Sequence, residues 1–396
     1  MKTKNLTLLF TILFLSMTSS AISTKAKYAL LIDADTNEIL YQKNAKKRMA
    51  PSSMSKLMTT YIAFDRLKTG ALNLTDKVVV SKNAWSKGGS RMFLPLHKKV
   101  TIEDLLKGII IQSGNDASIA LSEAIAGSEE AFVARMNSVA KQIGLKNSHF
   151  TNSTGLPNEN HYMTPEDLGI LVKSIANDFP EYYGYFSQES FTYNKIKQRN
   201  RNVLISSHIG VDGLKTGHTS AAGYGIAASA KQGNRRLIAI LNGLNSENER
   251  AQETQKLLQY GFLNFTNVTI AKMNEEIASI QVQRGKEDTV GLVCEQNLVF
   301  TVPVEQKDHI EAVVNYEYKL SAPISKNTKV GVIEVKIPNQ DPKEFNVCTK
   351  GDVLEAGMFS KMYSNTKAWV QSIGSAVPDN TSNILTKKIL PQADIN

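Results

Sequence analysis

The 396-residue sequence predicts an α/β (α+β) fold: a sheet interrupted by an inserted helical subdomain, followed by a smaller all-β domain. Strand-like runs stand near both ends of the first 264 residues, helical periodicity fills residues 45 to 180, and after Phe265 the texture turns to short alternating β runs. The composition, 42% hydrophobic and 21% charged, excludes disorder and collagen-like structure. Forty-six Lys and Arg against 37 Asp and Glu give +9, too sparse an excess for a dedicated nucleic-acid binder, so no nucleic-acid partner is expected. Two cysteines, Cys294 and Cys348, exclude a disulfide-dense scaffold and a four-cysteine zinc site.

In chain order, Lys2 and Lys4 precede an apolar run from Leu6 to Met17, and Ala21-Ile22-Ser23 supplies small residues for cleavage. Residues 1–23 therefore read as a secretory signal, since the run is short against the ~20 residues of a bilayer span. Without its two lysines the mature chain carries +7 and works outside the cytoplasmic membrane. An oxidising compartment permits a disulfide between Cys294 and Cys348, which both lie in strand-like runs with no third cysteine to compete.

A β-hairpin opens the mature chain, with Tyr28 to Asp33 and Glu38 to Gln42 flanking Asp35-Thr36-Asn37. Met54, Leu57, Met58, Tyr61 and Ile62 form a stripe that predicts a helix from Ser52 to Leu67, with Ser53 and Lys56 off that stripe. Thr101 with Asp104 caps another helix, a third runs from Ser128 to Ile143, and a fourth begins at Thr164-Pro165-Glu166. Strands return at Gly223 to Ala230 and Arg235 to Asn242, and a helix from Arg250 to Tyr260 stops at Gly261. The expected divisions are 24–264 for the first domain, 265–355 for the β-rich domain and 356–396 for a tail.

Three short motifs carry chemistry. Ser53 and Lys56 stand at i and i+3, so their side chains share a helix face. A serine hydroxyl is a poor nucleophile until a base takes its proton, and a lysine serves if burial or nearby cations lower its pKa. Ser113-Gly114-Asn115 fills a break between helical patterns, where both polar side chains can face a cleft. Lys215-Thr216-Gly217 heads the strand region, and a strand edge bearing Lys, Thr and a close-approach Gly suits a peptide carboxylate laid beside it.

In this order, with flanks Ala50-Pro51-Ser52-Ser53-Met54-Ser55-Lys56-Leu57-Met58-Thr59, Gln112-Ser113-Gly114-Asn115-Asp116-Ala117 and Asp212-Gly213-Leu214-Lys215-Thr216-Gly217-His218-Thr219, the chain resembles the penicillin-binding protein and serine β-lactamase superfamily. Over residues 25 to 355 it resembles most closely the low-molecular-mass D-alanyl-D-alanine carboxypeptidases, and the resemblance implies a DD-peptidase, transpeptidase-like fold. It implies Ser53 as the acylated nucleophile, Lys56 as its base, Ser113 as proton relay and Asn115 as holder of the acyl amide. Lys215 would keep Lys56 partly neutral, Thr216 would touch the substrate carboxylate, and Arg250 would pair with it. Gly217 belongs to that strand, and the backbone N–H groups of Ser53 and His218 would form the oxyanion hole.

The implied activity is removal of the terminal D-alanine from peptidoglycan stem peptides through an acyl-enzyme, with β-lactams trapping the same serine and no cofactor or metal. A β-lactamase or D,D-endopeptidase is the rival enzyme; a non-catalytic penicillin sensor or wall-binding protein is the rival of another class. Against the β-lactamase, neither Glu159 nor Glu166 sits in a Glu-x-x-x-Asn context, and the third motif ends in His218. His161, His208 and His218 show no metal-ligand spacing and read as ordinary polar residues. In the tail, Phe359, Met362, Tyr363, Trp369, Val370 and Ile373 recur at helical spacing, with Lys361 and Lys367 elsewhere. This stretch is expected to lie in the lipid interface and hold the exported enzyme peripherally on the outer face of the cytoplasmic membrane.

Overall fold

The computed structural model describes residues 22–207, 209–317, 319–357, 384–390 and 392–393. Residues 1–21, within the expected secretory signal, His208 and the tail stretch 358–383, with its expected lipid-facing helix, lie outside the described residues.

The opening hairpin is β1 (Tyr28–Asp33) and β2 (Ile39–Lys43). A 3₁₀ turn at Ser52–Ser55 leads into α1 (Lys56–Lys68). The inserted region then contributes β3 (Lys77–Val79), α2 (Lys82–Ser86), β4 (Lys99–Thr101), α3 (Ile102–Ile110), α4 (Asn115–Ala126), α5 (Glu129–Gln142) and α6 (Pro165–Asp178). The hairpin β5 (Ser190–Tyr193) and β6 (Ile196–Arg199) precedes β7 (Val211–Thr219), β8 (Gly223–Gln232), β9 (Arg235–Leu244) and α7 (Glu247–Asn264). Ser and Thr side chains cap α3, α5, α6 and α7, with Thr101, Ser128, Thr164 and Ser246 each accepting a first-turn N–H.

The main sheet runs β2-β1-β9-β8-β7, so the hairpin from the chain's start and the strands 180 residues later form one layer. Both faces of this sheet are covered. Leu30, Ile238 and Ile240 point into a core shared with α1, α3, α4 and α6, whereas Leu31, Leu237, Ala239 and Leu241 point into a second core under α7. Burial on both sides explains why β9 reads as an unbroken apolar run rather than an alternation.

α7 begins three residues earlier and ends later than the sequence suggests. Ser246 supplies the cap, and Gly261 lies inside the helix rather than after it. A Cβ at Gly261 would meet Leu237 at 2.7 Å and Leu31 at 2.9 Å, so this glycine permits close packing of helix on sheet.

The second domain comprises β10 (Phe265–Ala271), β11 (Glu276–Gln283), β12 (Thr289–Cys294), β13 (Leu298–Pro303), β14 (Glu311–Glu317), β15 (Lys319–Ser321), β16 (Lys329–Lys336), β17 (Lys343–Thr349), β18 (Ile384–Ile389) and β19 (Gln392–Ala393). They form a seven-stranded sheet, β15-β11-β12-β17-β16-β14-β18, and a three-stranded one, β13-β10-β19, over a separate apolar core. The last two strands come from the tail, beyond residue 355.

The expected disulfide is not formed; both cysteines are free and buried. In the register of β12 with β17, Cys348 stands opposite Val293 and Cys294 opposite Val347. Directly opposed residues share a face and neighbours alternate, so the two thiols project from opposite sides of the sheet. A polar network joins the two domains. Asp33 accepts from Arg235 Nε at 2.7 Å and from Asn267 Nδ2 at 3.4 Å, and Thr301 Oγ1 donates to Asn267 Oδ1 at 2.7 Å.

Candidate active site

The three motifs converge on one cleft between the edge strand β7 and the helical subdomain. Ser53 sits in the 3₁₀ turn and Lys56 opens α1, and Lys56 Nζ donates to Ser53 Oγ at 3.0 Å. Lys56 is fully buried even though it lies off the apolar stripe, because the first turn of α1 is enclosed all round, Lys56 to Thr60 all being buried. Its ammonium also donates to Asn115 Oδ1 at 2.7 Å and to the carbonyl of Thr154. Burial pushes its pKa down from 10.5 to about 7, the charge of Arg201 pushes the same way, and Asp116 opposes them. At neutral pH a large share of Lys56 is therefore a free amine with its lone pair available to Ser53.

Asn115 opens α4 and is held twice by the preceding loop: its N–H donates to the Ser90 carbonyl at 2.7 Å and its Nδ2 to the Gly88 carbonyl at 2.8 Å. Asp116 holds that loop in turn, accepting from the N–H groups of Met92 and Leu94 at 2.9 and 3.1 Å. Ser113 sits just before, in the left-handed region at φ +67°, and its buried Oγ has no hydrogen-bond partner among the described residues. A buried hydroxyl without a partner costs about 1–3 kcal/mol unless a ligand satisfies it.

On the opposite wall, β7 presents Lys215, Thr216 and Gly217, all buried, and His218, exposed and stacked on Tyr224 with ring centroids 4.0 Å apart. A Cβ at Gly217 would stand 3.0 Å from the Pro51 carbonyl and 3.1 Å from Ser52 Cβ, so the glycine lets β7 press against the Ser52–Ser55 turn. The pKa of Lys215 is driven well down, first by burial and then by the charges of Lys56, Arg201 and Arg250. Arg250 is buried in the first turn of α7 and donates to the Arg201 carbonyl at 3.2 Å. Arg201 and Arg250, beside the buried Lys215, give this end of the cleft its positive charge.

Sequence reasoning missed four contributors. Arg201 sits just before the 3₁₀ turn at Val203–Ser206 with no motif around it, and its charge adds to burial in lowering the pKa of Lys56, beside the mutual repulsion of Lys56 and Lys215. Thr154 contributes only a carbonyl, and Asp116 acts through backbone it holds. The fourth is His161, read as an ordinary polar residue. It is buried, its Nδ1 accepts from the Thr151 N–H at 3.2 Å, and its Nε2 lies 2.8 Å from Ser55 Oγ. Ser55 Oγ donates to the Ser52 carbonyl at 2.9 Å, so it accepts from His161 Nε2–H, and the network sets the tautomer. Ser52 holds φ +52°, and a Cβ on Gly155 would fall only 1.9 Å from its carbonyl oxygen. The strained residue beside Ser53 is therefore pinned from two sides.

Glu166 lies in the first turn of α6 near Lys46, and Glu159 lies in the exposed 157–160 loop.

Comparison with known proteins agrees with this geometry. The family model described as D-alanyl-D-alanine carboxypeptidase matches residues 15–246, and that of the penicillin-binding protein 5 C-terminal domain matches residues 265–355. The D-alanyl-D-alanine carboxypeptidase DacF of Bacillus subtilis is 36% identical, over 89% of this chain and 92% of its own. The crystal structure of penicillin-binding protein 5 from Haemophilus influenzae superposes with a TM-score of 0.77 at 37% identity, covering 84% of this chain and 99% of that one. Penicillin-binding protein D2 of Listeria monocytogenes, solved in its ampicillin-bound form, superposes with a TM-score of 0.56 at 28% identity over 61% of this chain and 98% of its own. The family-model match, the identity over most of both chains and the superposition agree, and the chain belongs to the D-alanyl-D-alanine carboxypeptidase family of serine peptidases, among the low-molecular-mass penicillin-binding proteins.

Proposed function

We propose that this cleft removes the terminal D-alanine from peptidoglycan stem peptides ending in D-Ala-D-Ala, through an acyl-enzyme on Ser53. The observation that carries the reading is the contact between Lys56 Nζ and Ser53 Oγ at 3.0 Å, with the lysine buried and its pKa near 7. The neutral amine takes the hydroxyl proton as Oγ attacks the carbonyl carbon of the penultimate D-alanine. The oxyanion that forms is held by the N–H groups of Ser53 and His218, each worth roughly 3 kcal/mol in sites of this kind.

The leaving D-alanine needs a proton on its nitrogen, and the Ser113 hydroxyl, buried without a partner, passes it from Lys56. Asn115 holds the acyl amide, while Lys215, Thr216 and Arg250, with Arg201, receive the terminal carboxylate in the cationic end of the cleft. Water then cleaves the ester by the reverse proton path. A β-lactam presents a carbonyl and a carboxylate in the same relation and acylates the same serine, which the ampicillin-bound relative supports.

The chain is organised as a catalytic domain over 24–264 and a β-rich domain over 265–355, exported by residues 1–23 to the outer side of the cytoplasmic membrane, where the tail lies against the lipid surface. Among the described residues no helix is long and apolar enough to cross a membrane. Ser53→Ala tests the central claim: labelling by a fluorescent penicillin and D-alanine release from diacetyl-L-Lys-D-Ala-D-Ala should both vanish. Labelling that survives would assign the nucleophile elsewhere.

A further inference from the structure

The proton transfer from Ser53 depends on where the lone pair of Lys56 points. As an ammonium, Lys56 Nζ donates to Ser53 Oγ, to Asn115 Oδ1 and to the Thr154 carbonyl. The free amine has two hydrogens and one lone pair to divide among the same three neighbours. An amide oxygen and a peptide carbonyl only accept, whereas a hydroxyl can also donate. Asn115 Oδ1 and the Thr154 carbonyl therefore take the two hydrogens, and the lone pair is left facing the Ser53 hydroxyl. The Asn115 amide is fixed in this orientation, because its Nδ2 donates to the Gly88 carbonyl at 2.8 Å.

The Thr154 carbonyl is aimed from behind. It shares one planar trans peptide unit with the N–H of Gly155, so the two groups point in opposite directions. That N–H donates to Asn152 Oδ1 at 2.7 Å. The same oxygen accepts from the Thr154 N–H at 3.2 Å, from Thr154 Oγ1 at 2.9 Å and from the Leu156 N–H at 3.1 Å. Asn152 thus holds one end of the peptide unit while Lys56 sits at the other. The rest of the turn is fastened without it: Glu129 accepts from the Ser153 N–H and Oγ at 3.0 and 2.8 Å, and Thr59 Oγ1 donates to the Ser153 carbonyl at 2.8 Å.

We propose that Asn152 is a positioning residue for acylation: by fixing the Thr154–Gly155 peptide plane, it turns the lone pair of Lys56 toward Ser53. The inference rests on Ser53 as nucleophile and Lys56 as its base, and it adds a residue that acts on that pair through a single peptide unit. The charges of Arg201 and Asp116 already act on Lys56, and Lys56 in turn acts on Lys215 and His161; Asn152 itself is uncharged.

The test follows the rate constant for acylation of the full chain by a fluorescent penicillin as a function of pH, counted per labelled molecule. Asn152→Ala should lower the high-pH plateau about ten- to a hundredfold, the scale on which misorientation of a reacting pair slows a step. Asn152→Asp keeps the accepting oxygen and should hold most of the wild-type plateau. Its midpoint should move up from about 7, because a nearby carboxylate favours the ammonium form of Lys56. A merely structural residue would change how much protein is labelled and leave both readings alone. A wild-type plateau in Asn152→Ala, equal slowing by both variants, or an unmoved midpoint in Asn152→Asp overturns the positioning role while Ser53 and Lys56 keep theirs. If Asn152→Ala gives no labelled protein, the plateau and midpoint of Asn152→Asp decide by the same criteria. Labelling that survives Ser53→Ala overturns the nucleophile and the positioning role together.

Discussion

The cleft and the β-rich domain are built on opposite terms. Around Ser53 the protein buries Lys56, Lys215, Arg250 and His161, and it holds Ser52 and Ser113 in the left-handed region where non-glycine residues are disfavoured. From 266 to 356 the buried polar side chains among the described residues are Thr266, Asn267, Thr301 and Thr349, all neutral, and the strands alternate between core and solvent. Buried ammonium groups and strained turns lower stability. The cleft therefore holds an arrangement chosen for reactivity, and the regular apolar layers of both domains keep it in place.

The largest effect that would break this comparison is at Lys56. Lys56→Met keeps the stem volume but removes the base, and acylation by penicillin should slow by roughly a hundredfold or more. Melting temperature should fall little or rise, because a group that folds at the expense of its hydration has been removed. A large loss of stability with modest loss of acylation would show that the lysine is structural.

The wild-type pH dependence follows from the same shift. Acylation should increase with pH through about 7 as Lys56 loses its proton. For stability, the unfolded lysine keeps its proton up to 10.5 whereas the folded one loses it near 7. Between those values the unfolded state binds more protons, so this group's contribution to stability rises with pH.

The reverse behaviour is expected in the β domain. Ile333 is wholly buried in β16, and Ile333→Ala should cost about 2–5 kcal/mol, read as a shift of the denaturation midpoint. The rate at which the remaining folded protein is acylated should stay at the wild-type value. A slower rate would mean that the Asp33–Arg235–Asn267 junction transmits β-domain packing to the cleft.

How much was legible in the sequence divides along the same line. Ser53 and Lys56 are local partners one turn apart, and the three motifs stand in an order that identifies the superfamily, so the cleft's principal residues were readable before any fold was known. The apolar runs of β8, β9 and β12 were equally plain. Arg201, Thr154, Asp116 and His161 were not, since each acts through a contact 22 to 145 residues away, Thr154 through its carbonyl alone, which no local pattern records. The cysteine pair failed for a related reason: strand character was visible, but a one-residue offset in register decides which face a thiol takes.

The smallest expected effect concerns His161, where the cleft's demands and the fold's meet. Ser55, two residues along from Ser53, holds the Ser52 carbonyl and accepts from His161. Ser55→Ala should keep labelling while slowing it severalfold, the scale of one hydrogen bond worth about 1 kcal/mol. His161→Ala should slow it similarly. His161 also makes the fold acid-sensitive, because its pKa falls from 6.5 in the unfolded chain to about 4 when buried. Between those values the unfolded state takes up a proton that the folded state refuses, so stability declines as pH falls through 6.5 toward 4. Denaturation midpoints compared at pH 7 and pH 5 should therefore move farther apart in the wild type than in His161→Gln, which keeps a polar group but cannot titrate. Equal displacement in both proteins would show that carboxylates elsewhere govern the acid response, and that the buried histidine beside the nucleophile adds nothing to it.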